Sequence, residues 1–157
     1  MKISFWSVGK NHDLYVKDGI ELFTGRIKHY FPVHWNILSL PKNTGALSEV
    51  ELKRKEAELI LDQLQKEDYL IALDERGQQF SSEELATLLQ RRSNESTKHL
   101  VFLIGGAYGL DPAVLQRAQL KWSLSKLVFP HQLVRLILSE QIYRACSILK
   151  NEKYHHS

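Results

Sequence analysis

The segment LVFLIGGAYGLDPAVLQRAQLKW, residues 100–122, carries the reading on which the fold turns. Leu100-Val101-Phe102-Leu103-Ile104 is apolar without alternation, so both faces of such a strand must be covered. Strands of that kind belong to parallel sheets with helices on either side. Gly105-Gly106-Ala107-Tyr108-Gly109 breaks the run. Asp111, with Pro112 in the first turn, opens a short helix, and a fifth strand with its exit loop fills Leu120 to Phe129.

The same alternation extends in both directions. Lys2 to Val8 reads as a strand of period two that stops at Gly9. Residues 12–29 follow a helical period, with Leu14, Ile20, Phe23 and Ile27 as the inward positions. Val33 to Leu40 reads as a second strand, closed by Pro41. Ser48, with Glu51 three residues on, opens a helix that reaches about Gln65. Tyr69 to Leu73 is a third strand, apolar throughout, and Asp74-Glu75-Arg76-Gly77 turns the chain. Ser81 or Ser82 caps a helix to about Arg92, and the last helix spans residues 131–149. Five strands alternating with helices define an α/β protein with a mostly parallel sheet, expected to be one domain over residues 1–157.

Composition narrows the classes. With 43% hydrophobic and 25% charged residues the chain reads as ordinary globular protein. A net charge of +3 permits an RNA or phosphate partner without requiring one. Lys53-Arg54-Lys55 and Arg91-Arg92 fall in helical patterns and read as solvated faces. The single Cys146 excludes an intrachain disulfide and a Cys-rich zinc site, and reads as a small buried side chain. The histidines are scattered, with no helical pair set beside a carboxylate, so no metal is expected. No apolar run approaches the ~20 residues of a membrane span, and MKISFWSVGKNHDLY holds no signal-peptide core. The expectation is a cytoplasmic protein with no membrane contact.

In parallel α/β sheets, ligands bind beyond the carboxyl ends of the strands. Three loops leave those ends: after Leu73, after Ile104, and around Ser125 to Phe129. A dinucleotide fingerprint fails, because Ile104 stands where its first glycine belongs and Trp122-Ser123-Leu124 offers no acidic strand end. Gly9-Lys10-Asn11 is not a P-loop, and no serine is set in a nucleophile elbow. Gly105-Gly106 makes either a tight turn or an open approach for a flat ligand. Leu73, Leu124, Leu127 and Phe129 supply apolar walls which, with backbone N–H and C=O groups, suit an adenine ring. No Lys/Arg cluster faces these loops, so a polyphosphate cofactor fits poorly. S-adenosylmethionine, an adenosine with a sulfonium and no phosphate, fits better.

Several stretches, taken jointly, carry a resemblance over nearly the whole chain: Ser7-Val8-Gly9-Lys10, Leu73-Asp74-Glu75-Arg76-Gly77, Ser81-Ser82-Glu83, and Leu103-Ile104-Gly105-Gly106 with Gly109-Leu110. The longest runs from Ser123-Leu124-Ser125-Lys126-Leu127 through Phe129-Pro130-His131-Gln132-Leu133-Val134-Arg135 to Glu140-Gln141 and Tyr143-Arg144-Ala145, and Tyr154-His155 follows in the tail. The chain resembles the ribosomal large-subunit rRNA (pseudouridine-N3)-methyltransferase H family of the SPOUT superfamily. The resemblance implies a mostly parallel five- to six-stranded sheet with a deep trefoil knot over about residues 70–150. It also implies a homodimer in which each site borrows from the other subunit. It implies S-adenosylmethionine at Leu73, Gly105, Leu124, Ser125, Lys126, Leu127, Val128 and Phe129. The implied substrate is a pseudouridine in a hairpin loop of 23S rRNA, methylated at N3 on the assembled ribosome. His131, Arg135, Tyr154 and His155 are the candidates for handling the N3 proton and charge, with Tyr154 and His155 reaching across the dimer to close the site. Family tails often end Tyr-His-Arg or Tyr-His-Lys, whereas position 156 is His here; Val128 replaces a usual Thr and leaves any contact there to the backbone. Two alternatives remain: a SPOUT methyltransferase with another RNA target, or a non-catalytic ribosome-binding protein of this fold.

The stretch SLSKLVFPHQLVRLILSEQIYRA, residues 123–145, joins the site to the last helix. Pro130 lacks an N–H and suits the first turn, where that donor would be orphaned. Leu133, Val134, Ile137, Leu138, Ile142, Ala145 and Leu149 share a stripe expected to bury against the sheet and a partner subunit. Arg135 and Arg144 are expected off that stripe, meeting RNA phosphate or the other subunit, or forming an ion pair with Glu140 or a neighbour.

Overall fold

A computed structural model describes residues 1–42 and 45–156. Strands and helices alternate: β1 (Lys2–Val8), α1 (Leu14–Ile27), β2 (Val33–Leu38), α2 (Glu49–Gln63), β3 (Tyr69–Gln78), α3 (Ser82–Asn94), β4 (His99–Ile104), α4 (Pro112–Arg117), β5 (Leu120–Trp122) and α5 (His131–Leu149). The strands form a five-stranded sheet in the order β2-β1-β4-β3-β5, and every pairing is parallel. Each carboxyl end therefore points the same way.

The apolar run of β4 lies at the centre of the sheet, where both faces are covered. Leu100, Phe102 and Ile104 face one layer of core with Phe5, Ile71, Leu138, Ile142 and Ala145. Val101 and Leu103 face the other layer with Trp6, Ala57, Ile60, Leu70 and Val114. Helices α1 and α3 pack on α5 over the first layer; α2 and α4 meet over the second. Helix starts follow side-chain chemistry. The Ser48 hydroxyl accepts from Glu51 N–H, Ser81 and Glu84 exchange both bonds of a capping box, and Asp111 accepts from Ala113 N–H. Pro130 stands one residue ahead of α5 and its carbonyl accepts from Val134 N–H at 3.0 Å. At the amino end of the sheet, Ser4 Oγ lies 2.7 Å from His99 Nε2, and His99 Nδ1 lies 2.9 Å from Asp68 Oδ1, tying three strand starts together.

Three local expectations are corrected. The inward face of α1 is Val16, Ile20, Thr24 and Ile27, while Leu14 is 88% exposed because it opens the helix beyond the edge of the core. The Asp74–Gly77 segment continues β3 to Gln78 instead of turning, because Gln78 pairs with Trp122 after a bulge, and Ser123 N–H donates to its carbonyl. Arg92 is not a solvated cation: its guanidinium covers the Tyr69 ring at 4.3 Å and pairs with Glu95.

Gly77 is where the β3 extension crosses β5. A Cβ there would lie 2.5 Å from the carbonyl carbon and oxygen of Lys121, which are backbone and cannot swing away. Gly77→Ala is expected to cost about 3 kcal/mol, the upper range for overpacking. Gly25→Ala, in helix α1 with nothing within 4 Å, should instead gain about 0.5–1 kcal/mol. Urea unfolding midpoints of the two variants check the contrast.

Candidate active site

The polar extension of β3 and the turns after β4 and β5 line one cleft of about 740 Å³ at the carboxyl end of the sheet. β3 contributes Leu73 to Arg76, β4 leads into Ile104 to Leu110, and β5 leads into Ser123 to Phe129. The first turns of α5 add His131 and Val134. All of Leu73, Gly105, Leu124, Ser125, Lys126, Leu127, Val128 and Phe129 face this space, and His131 joins them.

Each loop is shaped locally. Gly109 takes φ +83°, and its N–H donates to the Gly106 carbonyl at 3.1 Å, folding residues 106–109 into a tight turn. A Cβ on Gly105 would stand 2.9 Å from Leu110 Cδ2, and one on Gly106 would stand 2.5 Å from Glu56 Oε1. The tight-turn reading of this loop is met, and the space that a Cβ would take at Gly105 and Gly106 is filled by Leu110 and Glu56. In the third loop Ser123 Oγ donates to the Ser125 carbonyl, and Leu127 N–H donates to Ser125 Oγ. Those bonds hold the loop in shape while Leu127 and Val128 stay 72% and 87% exposed at the rim.

The cleft is not free of charge. Lys53, Asp74, Glu75, Arg76 and Lys126 all line it, with Arg76 Nε 3.5 Å from Asp74 Oδ2. Lys53 comes from α2, an element that the reading of strand-end loops did not include. Its helix neighbour Glu56 is buried behind the glycine turn, and burial pushes its carboxyl above the ordinary range. A charged residue standing inside the α2 stripe of Glu56, Ala57 and Ile60 was the available signal.

Arg135 is corrected outright. It lies on the buried stripe of α5 with Leu138, Ser139, Ile142, Ala145 and Cys146, and is 1% exposed. Its Nε donates to Ser7 Oγ at 2.9 Å, and its NH1 lies 3.2 Å from His12 Nδ1. Gln132 Oε1 accepts from Asp13 N–H beside it. A buried guanidinium in this position cannot meet RNA phosphate, and it is not among the cleft-lining side chains. It fastens α5 to the end of β1 and the start of α1. Burial lowers the affinity of Arg135 for its proton, and burial with the neighbouring guanidinium lowers that of His12.

Tyr154 and His155 are placed on their own chain, away from its cleft. Tyr154 Oη donates to Glu140 Oε1 at 3.0 Å, and its ring packs 4.6 Å from Tyr143. Arg144 bonds Glu140 through Nε and lies over the Tyr154 ring at 4.7 Å, so the Glu140 ion pair is the alternative that holds for this arginine. His155 bridges Arg144 NH1 at 3.2 Å and Glu83 Oε1 at 2.8 Å. Burial, then the Glu140 bond, raises the Tyr154 hydroxyl above its ordinary range. Cys146 is buried and its thiol is pushed up to about 12 by that burial. Among the described residues, no three metal-ligating side chains converge and no helix is long and apolar enough to cross a membrane.

A parallel sheet with such a cleft at its carboxyl edge is the setting of the SPOUT methyltransferases. A family profile described as "Predicted SPOUT methyltransferase" matches residues 1–155. A crystal structure of a probable methyltransferase from Bordetella pertussis Tohama I shares the fold, with a TM-score of 0.56 over 92% of this chain and 94% of that one, at 14% identity. Proteins named ribosomal RNA large subunit methyltransferase H align over 156 residues: that of Cytophaga hutchinsonii is 48% identical over 99% of this chain and 100% of its own length. That of Parabacteroides distasonis is 46% identical over 99% of each. The chain belongs to the ribosomal RNA large subunit methyltransferase H family of SPOUT methyltransferases.

The lowered His12 value has a consequence for stability. An unfolded chain protonates His12 near its ordinary 6.5, before the folded chain does. Folded stability is therefore lost as pH falls from about 7 through 6.5 towards the lowered value. In urea titrations, His12→Gln should show a smaller loss between pH 7.5 and pH 5.5 than the parent protein.

Proposed function

We propose that this chain is an S-adenosylmethionine-dependent methyltransferase that modifies N3 of a pseudouridine in a hairpin loop of 23S rRNA on the assembled ribosome. The observation that carries the reading is the convergence of the β3 extension and the turns after β4 and β5 on one cleft, in a chain whose full-length relatives are named for large-subunit rRNA methylation. The cleft suits the cofactor in size, since ligand pockets run roughly 300–1,000 Å³. Leu73, Leu124, Leu127 and Phe129 offer apolar contact, and the glycine turn lines the same space with backbone.

When bound, S-adenosylmethionine supplies an electrophilic methyl group on a sulfonium. The chain's own task is alignment, exclusion of water and removal of the N3 proton. The bonded turns at 106–109 and 123–127 present a preformed surface. His131, in the cleft at the start of α5, is placed to meet the proton or the developing charge of the substrate. Arg135 contributes by positioning α5 from beneath.

Tyr154 and His155 enter through a homodimer, in which the tail of one chain serves the cleft of the other. Exposed Leu14, Tyr15 and Leu22 on α1 and half-buried Leu133 and Ile137 on α5 are apolar side chains that a second copy would cover. The fold is read as one domain over residues 1–157, with the chain knotted over about residues 70–150 as in the family. An rRNA substrate places the protein in the cytoplasm.

Purified protein, labelled S-adenosylmethionine and ribosomes lacking this methylation should yield label on large-subunit rRNA. Nucleotide mapping should find it on N3 of a pseudouridine. No transfer, or transfer to another base, overturns the assignment. Truncation after Lys153 should drop turnover by at least about 100-fold, the scale of lost general acid–base help. Cofactor binding by calorimetry should be retained, and full turnover in that variant would remove the tail from the mechanism.

A further inference from the structure

Glu56 is the buried charge that the reaction has not yet used. It sits on the inner face of α2 and is 6% exposed, among Ala57, Ile60 and the second core layer. Its carboxylate lies against the Cα of Gly106: any Cβ there would stand 2.5 Å from Oε1 and 2.9 Å from Oε2. Gly106 itself lines the cleft, so one glycine residue, without a side chain, separates this carboxylate from the cofactor space. Among the described residues Glu56 has no ion-pair partner within 4 Å. Lys53, one turn earlier on α2, reaches the cleft from the same helix.

Burying a carboxylate costs stability unless something compensates it. A purely structural support for the glycine turn would be served better by an apolar side chain of similar length. A carboxylate adds one property that such a side chain lacks: a field that favours positive charge in the adjoining space, felt strongly where water is excluded. The proposed cofactor is positively charged at sulfur before transfer and neutral there afterwards, since the carbon–sulfur bond breaks with its electron pair left on sulfur.

We propose that Glu56 is a positioning residue of the cofactor site: through Gly106 it sets the glycine turn, and its charge makes the cleft prefer the cationic methyl donor to its neutral demethylated product. This rests on the reading of the cleft as the S-adenosylmethionine site. The preference does not help the chemical step, because it stabilises the charged ground state. Its gain lies in loading the donor and releasing the spent product.

The test is calorimetric titration of the full chain with three ligands: S-adenosylmethionine, S-adenosylhomocysteine, and sinefungin, which carries an amine cation where the methylated sulfonium stands. The parent protein should bind both cationic ligands more tightly than S-adenosylhomocysteine. Glu56→Gln should weaken the two cations about tenfold, the scale of one charge interaction in a partly shielded site, and leave S-adenosylhomocysteine within about twofold. Glu56→Asp should keep part of the preference. Equal weakening of all three ligands in Glu56→Gln would mark Glu56 as a mere support for the turn and overturn the proposal, while leaving the cofactor site standing. A parent protein that binds the neutral ligand as tightly as the cations would overturn it without any variant, so a misfolded Glu56→Gln does not protect it. A parent protein that binds none of the three would bring down the cofactor reading itself.

Discussion

The carboxyl edge of this sheet is built where segments come closer than a side chain allows. At Gly77 the extension of β3 crosses the backbone of Lys121 and Trp122; at Gly105 the loop closes on Leu110 and Gly109; at Gly106 it closes on Glu56. At Gly77 the blocking group is backbone and fixed, whereas at Gly105 and Gly106 the side chains of Leu110 and Glu56 would have to give way to a Cβ. If any of these segments were held away, the β3 extension and the turns after β4 and β5 would no longer enclose a common space. The cleft thus depends on glycine as a means of close packing more than as a source of unusual dihedrals, since only Gly109 of the four adopts positive φ.

The last helix is held in place by a different device. A buried cation is costly to desolvate, yet Arg135 stands at the centre of the α5 contact with Ser7 and His12 as its partners. Neutral partners take its Nε and NH1 donors without adding a second buried charge. Together with Gln132, which bonds Asp13 N–H, the arginine fixes the first turns of α5 against β1 and α1. His131 therefore stands at the cleft because Arg135, one turn further along, is anchored beneath it. At the other end of α5, Glu140, Arg144, Tyr154 and His155 form a second cluster that gathers the tail onto the helix and onto Glu83 of α3.

Much of this was legible in the residues. Unbroken apolar runs at 70–73 and 100–104 required cover on both faces and pointed to a mostly parallel sheet; every pairing is in fact parallel. Capping chemistry at Ser48, Ser81 and Asp111 set three helix starts. The strand-end rule directed attention to the loops that line the cleft. The errors share one physical cause. Asp74 to Gln78 looked like a turn because its residues are polar, yet they are held in a strand by pairing with β5, a partner distant in sequence. Arg135 looked like an outward cation because charged residues usually are, and only its distant partners Ser7 and His12 make burial tolerable. Lys53 and Glu56 escaped notice because α2 does not adjoin the strand-end loops along the chain.

By itself the sequence determined the elements, their mostly parallel arrangement and the edge at which the cleft opens, because apolar periodicity and caps act over a few residues. The tertiary structure alone decided which backbones touch at the glycines, which charges lie buried beneath the cleft, and where the tail rests on its own chain. Those outcomes depend on groups as much as 128 positions apart, such as Arg135 and Ser7, and no local pattern encodes the partner that makes a buried charge or an absent Cβ necessary.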